Sequence, residues 1–272
     1  VKGDAMPELP EVQTVLNGLV KTLSHRKITG LDCFYPGTVI RDPAIREDPF
    51  PAKVVGTARR GKYIILNLER NHSLIIHLRM TGKLVHGRGS AGPSSHERAC
   101  LLLSRDERLH FIDIRTFGKI ILCRSDHVEN YMPKLGVEPL SDMFAAAHLQ
   151  QALAKRNGPI KNSLLDQSLV AGLGNIYVNE ILFRSGIRPD RKSCFLQPKE
   201  LTRLVKQTKQ VLNEAIAKNG TSISDFRRID DKSGEFQKFL QIYQKQQCPR
   251  GHEVVRIRQA GRSSFYCPVC QK

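Results

Sequence analysis

The chain has 272 residues, long enough for two domains that each bury a core. Lysine and arginine number 43 against 26 aspartates and glutamates, a net charge of +17, which makes a polyanion the expected partner. No apolar run approaches the roughly 18 residues that span a bilayer, and the opening "VKGDAMPELPEVQ" carries prolines and acids instead of a secretory core, so a cytosolic protein without a membrane partner is expected.

Taken in chain order, the first element is a helix from Pro10 onward. Val12, Val15, Leu16, Leu19, Val20 and Leu23 fall at helical spacing, with Pro10 in the first turn, where a missing N–H costs nothing. Seven short β-branched or alternating runs follow: "KITGLDCFY", "AKVVGTARR", "KYIILNLE", "SLIIHLRM", "ERACLLLS", "RLHFIDI" and "GKIILC". They predict a β-sandwich or barrel. The prolines, glycine and serine of "MPKLGVEPLSD" read as a linker near residues 132–142. Beyond it, "FAAAHLQQALAKR", "IYVNEILFRS" and "PKELTRLVKQTKQVLNEAIAKNG" are predicted helices, the last capped by Asn219-Gly220. The final 25 or so residues, a strand-turn-strand pattern flanked by ligand-type residues, form a third small unit.

Of the seven cysteines, Cys33, Cys100, Cys123 and Cys194 are scattered singly and do not form a disulfide framework. The others build the strongest spacing signal: Cys248-x3-His252, fourteen residues, then Cys267-x2-Cys270, a Cys3His set suited to one structural zinc ion. The intervening "VVRIRQAGRSSFY" holds Arg256, Arg258 and Arg262, the last near the turn and within reach of phosphate. In "GLGN", Gly172, Gly174 and Asn175 precede a helix whose positive end suits phosphate, with Lys161 as a nearby charge; in isolation the same letters make an ordinary interhelical turn. "HLRMTG" and "DIRTFG" put Met80, Arg115 and Phe117 at strand ends, as wedges for a duplex or, taken alone, as core. At the start, "DAMPELPEV" places Pro7 and Glu8 after a second start-like methionine. With residues 1–6 removed, Pro7 would expose a secondary amine able to form an iminium, and Glu8 would move protons; alone, the stretch reads as the opening of a helix.

"MPELPEV", "RRGKY", "HLRMTG", "DIRTFG", "GLGNIYVNE" and the cysteine-rich tail together resemble, in this order and from Met6 to Lys272, the formamidopyrimidine-DNA glycosylases. The resemblance implies an α+β multidomain protein: an extension or mis-assigned start at 1–6, a helix plus β-sandwich catalytic domain at 7–135, a helix-two-turns-helix DNA-binding domain at 136–241 and a zinc finger at 242–272. It implies a monomeric base-excision enzyme acting on damaged double-stranded DNA. Oxidised purines are excised, and the abasic site is cleaved by β,δ-elimination with no catalytic cofactor. Pro7 is the implied nucleophile, Glu8 the acid/base, and Lys62 a phosphate contact near the lesion. Met80, Arg115 and Phe117 are the implied void-filling set, with Arg115 facing the orphaned cytosine. Lys161, Asn175, Tyr177 and Arg262 are the implied phosphate clamp, and Glu180 resembles a position near the active site.

The chain departs from the family pattern at four points. Translation starting at Met6, followed by methionine removal, would account for residues 1–5. Gly251 stands where the family usually has a zinc-ligating cysteine, which leaves the fourth ligand to His252. Ser224 in the lesion loop replaces a lysine of some relatives, and Thr116 stands where an arginine is common. The competing readings are an oxidised-pyrimidine glycosylase similar to endonuclease VIII and a catalytically inactive DNA-binding relative.

Overall fold

The computed structural model describes residues 6–89, 95–222 and 226–272. These form two compact units, Val1–Pro133 with Asn219–Glu235, and Lys134–Lys218 with Phe236–Lys272. The segment after the longest helix therefore belongs with the N-terminal unit.

The first unit opens with α1 (Leu9–Leu23), whose Leu9, Val12, Val15, Leu16, Leu19 and Leu23 are buried along one stripe. Burial of each is worth about 1.5–3 kcal/mol, which outweighs the weak propensity of a 15-residue helix. Nine strands follow: β1 (Lys27–Cys33), β2 (Val39–Arg41), β3 (Ala52–Arg60), β4 (Tyr63–Leu68), β5 (His72–His77), β6 (Lys83–Arg88), β7 (Glu97–Leu103), β8 (Glu107–Ile112) and β9 (Lys119–Arg124). They are hydrogen-bonded in the order β2-β9-β5-β4-β3-β1-β7-β8-β6, with β2 and β9 parallel. The β1–β3 junction is short, Lys27↔Lys53 and Ile28↔Ala52, and the half-sheets on its two sides share one core. Ile64, Leu66, Leu74 and Ile76 come from one half, Ala99, Leu101, Leu109 and Phe111 from the other, and α1 closes the cluster. This is the expected sandwich.

Seven of the nine strands coincide with the seven predicted runs; β2 and β6 do not. β2 is three residues long, and β6 reads "KLVHGR" with a single buried apolar residue, Leu84, so neither carries a periodic signal. Tertiary pairing creates both. Glu107, nearly buried at the start of β8, accepts hydrogen bonds from Arg26 just after α1 (2.9 Å from one guanidinium nitrogen) and pairs with His86 on β6 (2.8 Å). The Arg26 guanidinium holds this carboxyl down to about 2.

The second unit contains α2 (Ala146–Leu153), α3 (Ile160–Leu165), α4 (Asn175–Arg184), α5 (Pro198–Ala217) and a hairpin, β10 (Val255–Gln259) and β11 (Arg262–Tyr266). Three of these helices were predicted; α3, only six residues long, is too short for its period to be read. α5 starts on a capping box of Gln197 and Glu200 and ends, as expected, before Asn219 and Gly220 at φ 58° and 76°. Ile176 through Leu182 are all buried, so α4 runs through the interior of its unit and its polar residues there must find protein partners. No helix among the described residues is long and apolar enough to cross a membrane.

Candidate nucleic-acid interface and metal centre

Pro7 is buried immediately ahead of α1, and Glu8 is the residue that caps it. The Glu8 N–H donates to Glu11 Oε2 at 2.9 Å while the Glu8 carboxylate accepts from the Glu11 backbone, a reciprocal box that fixes the Pro7-Glu8 backbone. Glu11 Oε1 in turn accepts the Thr221 N–H at 2.7 Å. Gly220 is obligatory at this contact, since its φ is +76° and a Cβ there would lie 2.8 Å from Glu11 Oε1. Glu11 was not singled out in the sequence, although its position three residues after Glu8 is the capping-box spacing.

Lys62 sits half-buried in the two-residue turn between β3 and β4, with Gly61 at φ 56°. Arg59 staples that turn to α1, donating to Gln13 Oε1 at 3.0 Å and to the Gly61 carbonyl at 2.9 Å. Behind it, the His77 ring meets Tyr63 edge-on at 4.4 Å between centroids. Burial, with help from Arg79 and Lys62, pushes the His77 imidazole down to about 3, so the ring is neutral beside these cations.

Met80, Arg115 and Phe117 lie on two neighbouring turns, and one buried carboxylate organises both. Asp113 accepts the Thr81 hydroxyl from the first turn and, in its own, the N–H groups of Arg115 (3.2 Å) and Gly118 (2.7 Å). Thr81 Oγ1 also accepts the Arg115 N–H at 3.1 Å. Arg115 lies over the Phe117 ring at 5.4 Å, and Phe117 is 51% exposed. An exposed aromatic under a guanidinium, held on a rigid turn, suits insertion into a base stack. Asp113 stood within the quoted "DIRTFG" and was missed, because a buried anchor has no spacing signature. Ser224, expected to read the lesion, lies outside the described residues. The flanks of its loop are held: Gly234 approaches the carbonyl of Gly220, where a Cβ would lie at 2.3 Å, and its N–H donates to Ser222 Oγ at 2.8 Å.

In the second unit three of the four expected clamp residues, Lys161, Asn175 and Arg262, converge on one hairpin. Lys161 is 0% exposed, and its ammonium donates to the Ser263 carbonyl (2.8 Å) and Ser264 Oγ (2.6 Å) of β11. Asn175 Nδ2 donates to the same Ser263 carbonyl at 3.1 Å, while its Oδ1 is buried without a hydrogen-bond partner. Asn179, one turn on, receives the Phe265 N–H at 2.7 Å. Tyr177 is fully buried, its ring 5.9 Å from that of Phe236. Arg262 is exposed and opens β11 immediately after the Ala260-Gly261 turn, both residues at positive φ. The "GLGN" loop is fastened by Gln167, which donates to the Leu173 carbonyl (2.8 Å) and accepts from Gly172 N–H (2.9 Å). Glu180 is a clasp: its carboxylate accepts the N–H groups of Gln241, Ile242 and Tyr243 at 2.8–2.9 Å, against a burial that pushes its carboxyl up.

The four expected metal ligands come together, every donor atom within 4.8 Å of the others. His252 Nδ1 lies 3.6, 3.7 and 3.3 Å from the sulfurs of Cys248, Cys267 and Cys270, and the Cys248 and Cys270 sulfurs are 4.0 Å apart. Bond lengths of about 2.0–2.3 Å around a tetrahedral zinc require ligand separations of about 3.5–3.8 Å, so the set fits zinc with all four positions filled by protein. Gly251, at φ +80° with nothing within 4 Å of its would-be Cβ, turns the chain so that His252 is the ligand.

Together these parts define a DNA-directed protein with a helix-two-turns-helix unit and a structural zinc finger. Family models match in the same order: the N-terminal domain of formamidopyrimidine-DNA glycosylase over residues 6–120, its H2TH domain over 135–227, and the zinc finger found in FPG and IleRS over 246–272. The chain belongs to the formamidopyrimidine-DNA glycosylase family. It is 42% identical to the formamidopyrimidine-DNA glycosylase of Pelotomaculum thermopropionicum, over 98% of this chain and 99% of that one. The Gluconobacter oxydans protein is 39% identical, over 98% and 100%. Among solved structures, a mutant of the Lactococcus lactis FPG in complex with Fapy-dG-containing DNA is similar at a TM-score of 0.90 and 35% identity, covering 98% of this chain and 100% of that one. A variant of the same protein, described with a cysteine exchanged for Gly-His and bound to THF-containing DNA, matches as well (TM-score 0.90, 35% identity, 98% and 100% covered). Gly251-His252 is that same dipeptide.

Proposed function

We propose that this protein excises oxidised purines, 8-oxoguanine and formamidopyrimidines, from duplex DNA and cleaves the resulting abasic site by β,δ-elimination. The observation that carries this reading is the Pro7-Glu8 pair, buried and fixed by the capping box at the head of α1. Once Val1–Met6 are gone, the Pro7 nitrogen is a secondary amine instead of an amide. It attacks C1′ of the flipped nucleotide and the base departs, with Glu8 protonating the opening deoxyribose. The resulting iminium acidifies the C2′ proton, so the 3′-phosphate and then the 5′-phosphate are eliminated. Lys62 holds phosphate near the lesion, and Met80, Arg115 and Phe117 occupy the vacated stack. Asn175 and Arg262 contact phosphate, with Lys161 setting the hairpin behind them and Tyr177 packed in the same unit against Phe236. Zinc supplies structure to the finger and enters no step. A mutant of the Lactococcus lactis FPG bound to Fapy-dG-containing DNA supports the purine assignment, while the wild-type protein is also known bound to DNA containing an oxidised pyrimidine. In this reading residues 7–135, 136–241 and 242–272 are the catalytic, helical and finger domains of a cytoplasmic monomer that works on the chromosome.

Borohydride trapping on a duplex with 8-oxoguanine opposite cytosine tests it, using protein that begins at Pro7. A covalent adduct is expected, lost when Val1–Met6 are retained. An adduct only with an oxidised pyrimidine moves the protein to the endonuclease VIII type, and no adduct with either leaves a DNA binder.

A further inference from the structure

Away from every residue used above, the outer face of the β1-β7-β8-β6 half-sheet gathers a second set of ligand-type side chains. Cys100 on β7 is directly opposite His110 on β8, so the two project from the same face. Asp32 on β1 is opposite Cys100 from the other side and extends the row. Glu97 joins them through a backbone irregularity. By strand alternation it belongs with Ala99, Leu101 and Leu103, all of which point into the core. The register slips by one residue between Glu97 and Ala99, however, leaving Arg98 as the extra residue of a β-bulge. Glu97 thereby pairs with Ile112, two residues from His110, and turns to the same face as Cys100.

The donor atoms of Glu97, Cys100 and His110 all lie within 4.8 Å of one another, and Glu97 Oε1 is 2.6 Å from His110 Nδ1. Cys100 and Glu97 are buried, and His110 is 19% exposed, so the group opens to solvent on the imidazole side. The imidazole has room because β6 presents a glycine there: a Cβ on Gly87 would stand 3.0 Å from His110 Nε2. A thiolate, an imidazole and a carboxylate are the three donor types that zinc takes, at spacings of about 3.3–3.6 Å when bound. The Glu97–His110 pair must open by somewhat under 1 Å, and the two pairs with the Cys100 sulfur, each within 4.8 Å, need to close by at most about 1.5 Å.

We propose that Glu97, Cys100 and His110 form a second binding site for a zinc-class divalent ion, independent of the finger. The fourth position is left to water or to Asp32. Binding displaces the Cys100 thiol proton to solvent, and the imidazole proton between His110 and Glu97 shifts to the other ring nitrogen, as the Zn–S, Zn–N and Zn–O bonds form. The ion cross-links β7 to β8 on the face opposite the core, so it stabilises the N-terminal unit and takes no part in excision.

The test is zinc stoichiometry and thermal midpoint of the full chain, with its finger loaded, at micromolar added zinc. A second equivalent is expected, with a rise in midpoint that Cys100→Ser and His110→Gln abolish and Cys33→Ser retains. His110 is partly exposed, so His110→Gln decides the matter should Cys100→Ser fail to fold. Only the finger's equivalent in the wild-type chain overturns the site. So does a second equivalent that persists in His110→Gln or in folded Cys100→Ser.

Discussion

Two lysines set the two units apart. Lys62 stands half-buried on a β-turn stapled to α1, whereas Lys161 is wholly inside its unit, giving its hydrogen bonds to Ser263 and Ser264. In the first unit, the candidate side chains sit at turns and at the helix start, and the buried polar residues Glu11 and Asp113 hold that backbone from behind. In the second, Lys161 and Tyr177 are themselves part of the buried framework, and Arg262 reaches solvent on the hairpin that Lys161 holds. Hydrogen-bonded turns fix the candidate residues of the first unit; a buried network beside the metal-ligand cluster fixes the exposed Arg262 in the second.

The comparison breaks most sharply at the finger. Cys267→Ser should release the zinc, whose binding in such sites is worth about 10–16 kcal/mol, and with it the order of β10 and β11 and the affinity for duplex. Metal content by mass spectrometry checks it, and a full complement of zinc would refute it. Lys161→Met should follow: the Ser263 carbonyl and Ser264 hydroxyl lose a charged donor, at about 2–4 kcal/mol in stability. Denaturant unfolding would show this, together with weaker DNA binding.

His77 separates the units by pH. Its native ring resists protonation down to about pH 3, while the unfolded ring protonates near 6.5. Above pH 6.5 it contributes nothing to the pH dependence. Below that, the unfolded state takes a proton the native state refuses, so stability falls, by about 2 kcal/mol at pH 5. His77→Gln should flatten that acid limb in urea titrations; an unchanged slope would assign the loss elsewhere.

Asp113→Asn keeps the side-chain volume but weakens the hydrogen bonds to two turns, for about 1–2 kcal/mol. Excision should drop about tenfold with affinity for undamaged duplex nearly unchanged, since the turns move but the clamp stays. Arg262→Ala should do the opposite at the smallest scale: stability intact, binding weakened about tenfold, and the salt slope reduced by about one. An unchanged slope would take Arg262 out of the clamp.

The sequence by itself determined the elements whose signal is local. Seven strands, four longer helices, the Asn219-Gly220 cap and the zinc quartet all follow from periodicity or spacing within a few residues. Motif order was enough to identify the family. Tertiary structure decided what depends on partners distant along the chain. β2 and β6 exist through pairing, Asp113 became a hub because two turns meet over it, and Lys161 became a buried strut because β11 lies against it. Cys100, solitary in the sequence, gained Glu97 and His110 as neighbours only because a one-residue bulge reverses the face of the strand. Alternation along a strand can be read from the letters, whereas the register of its partner is set by packing across the sheet.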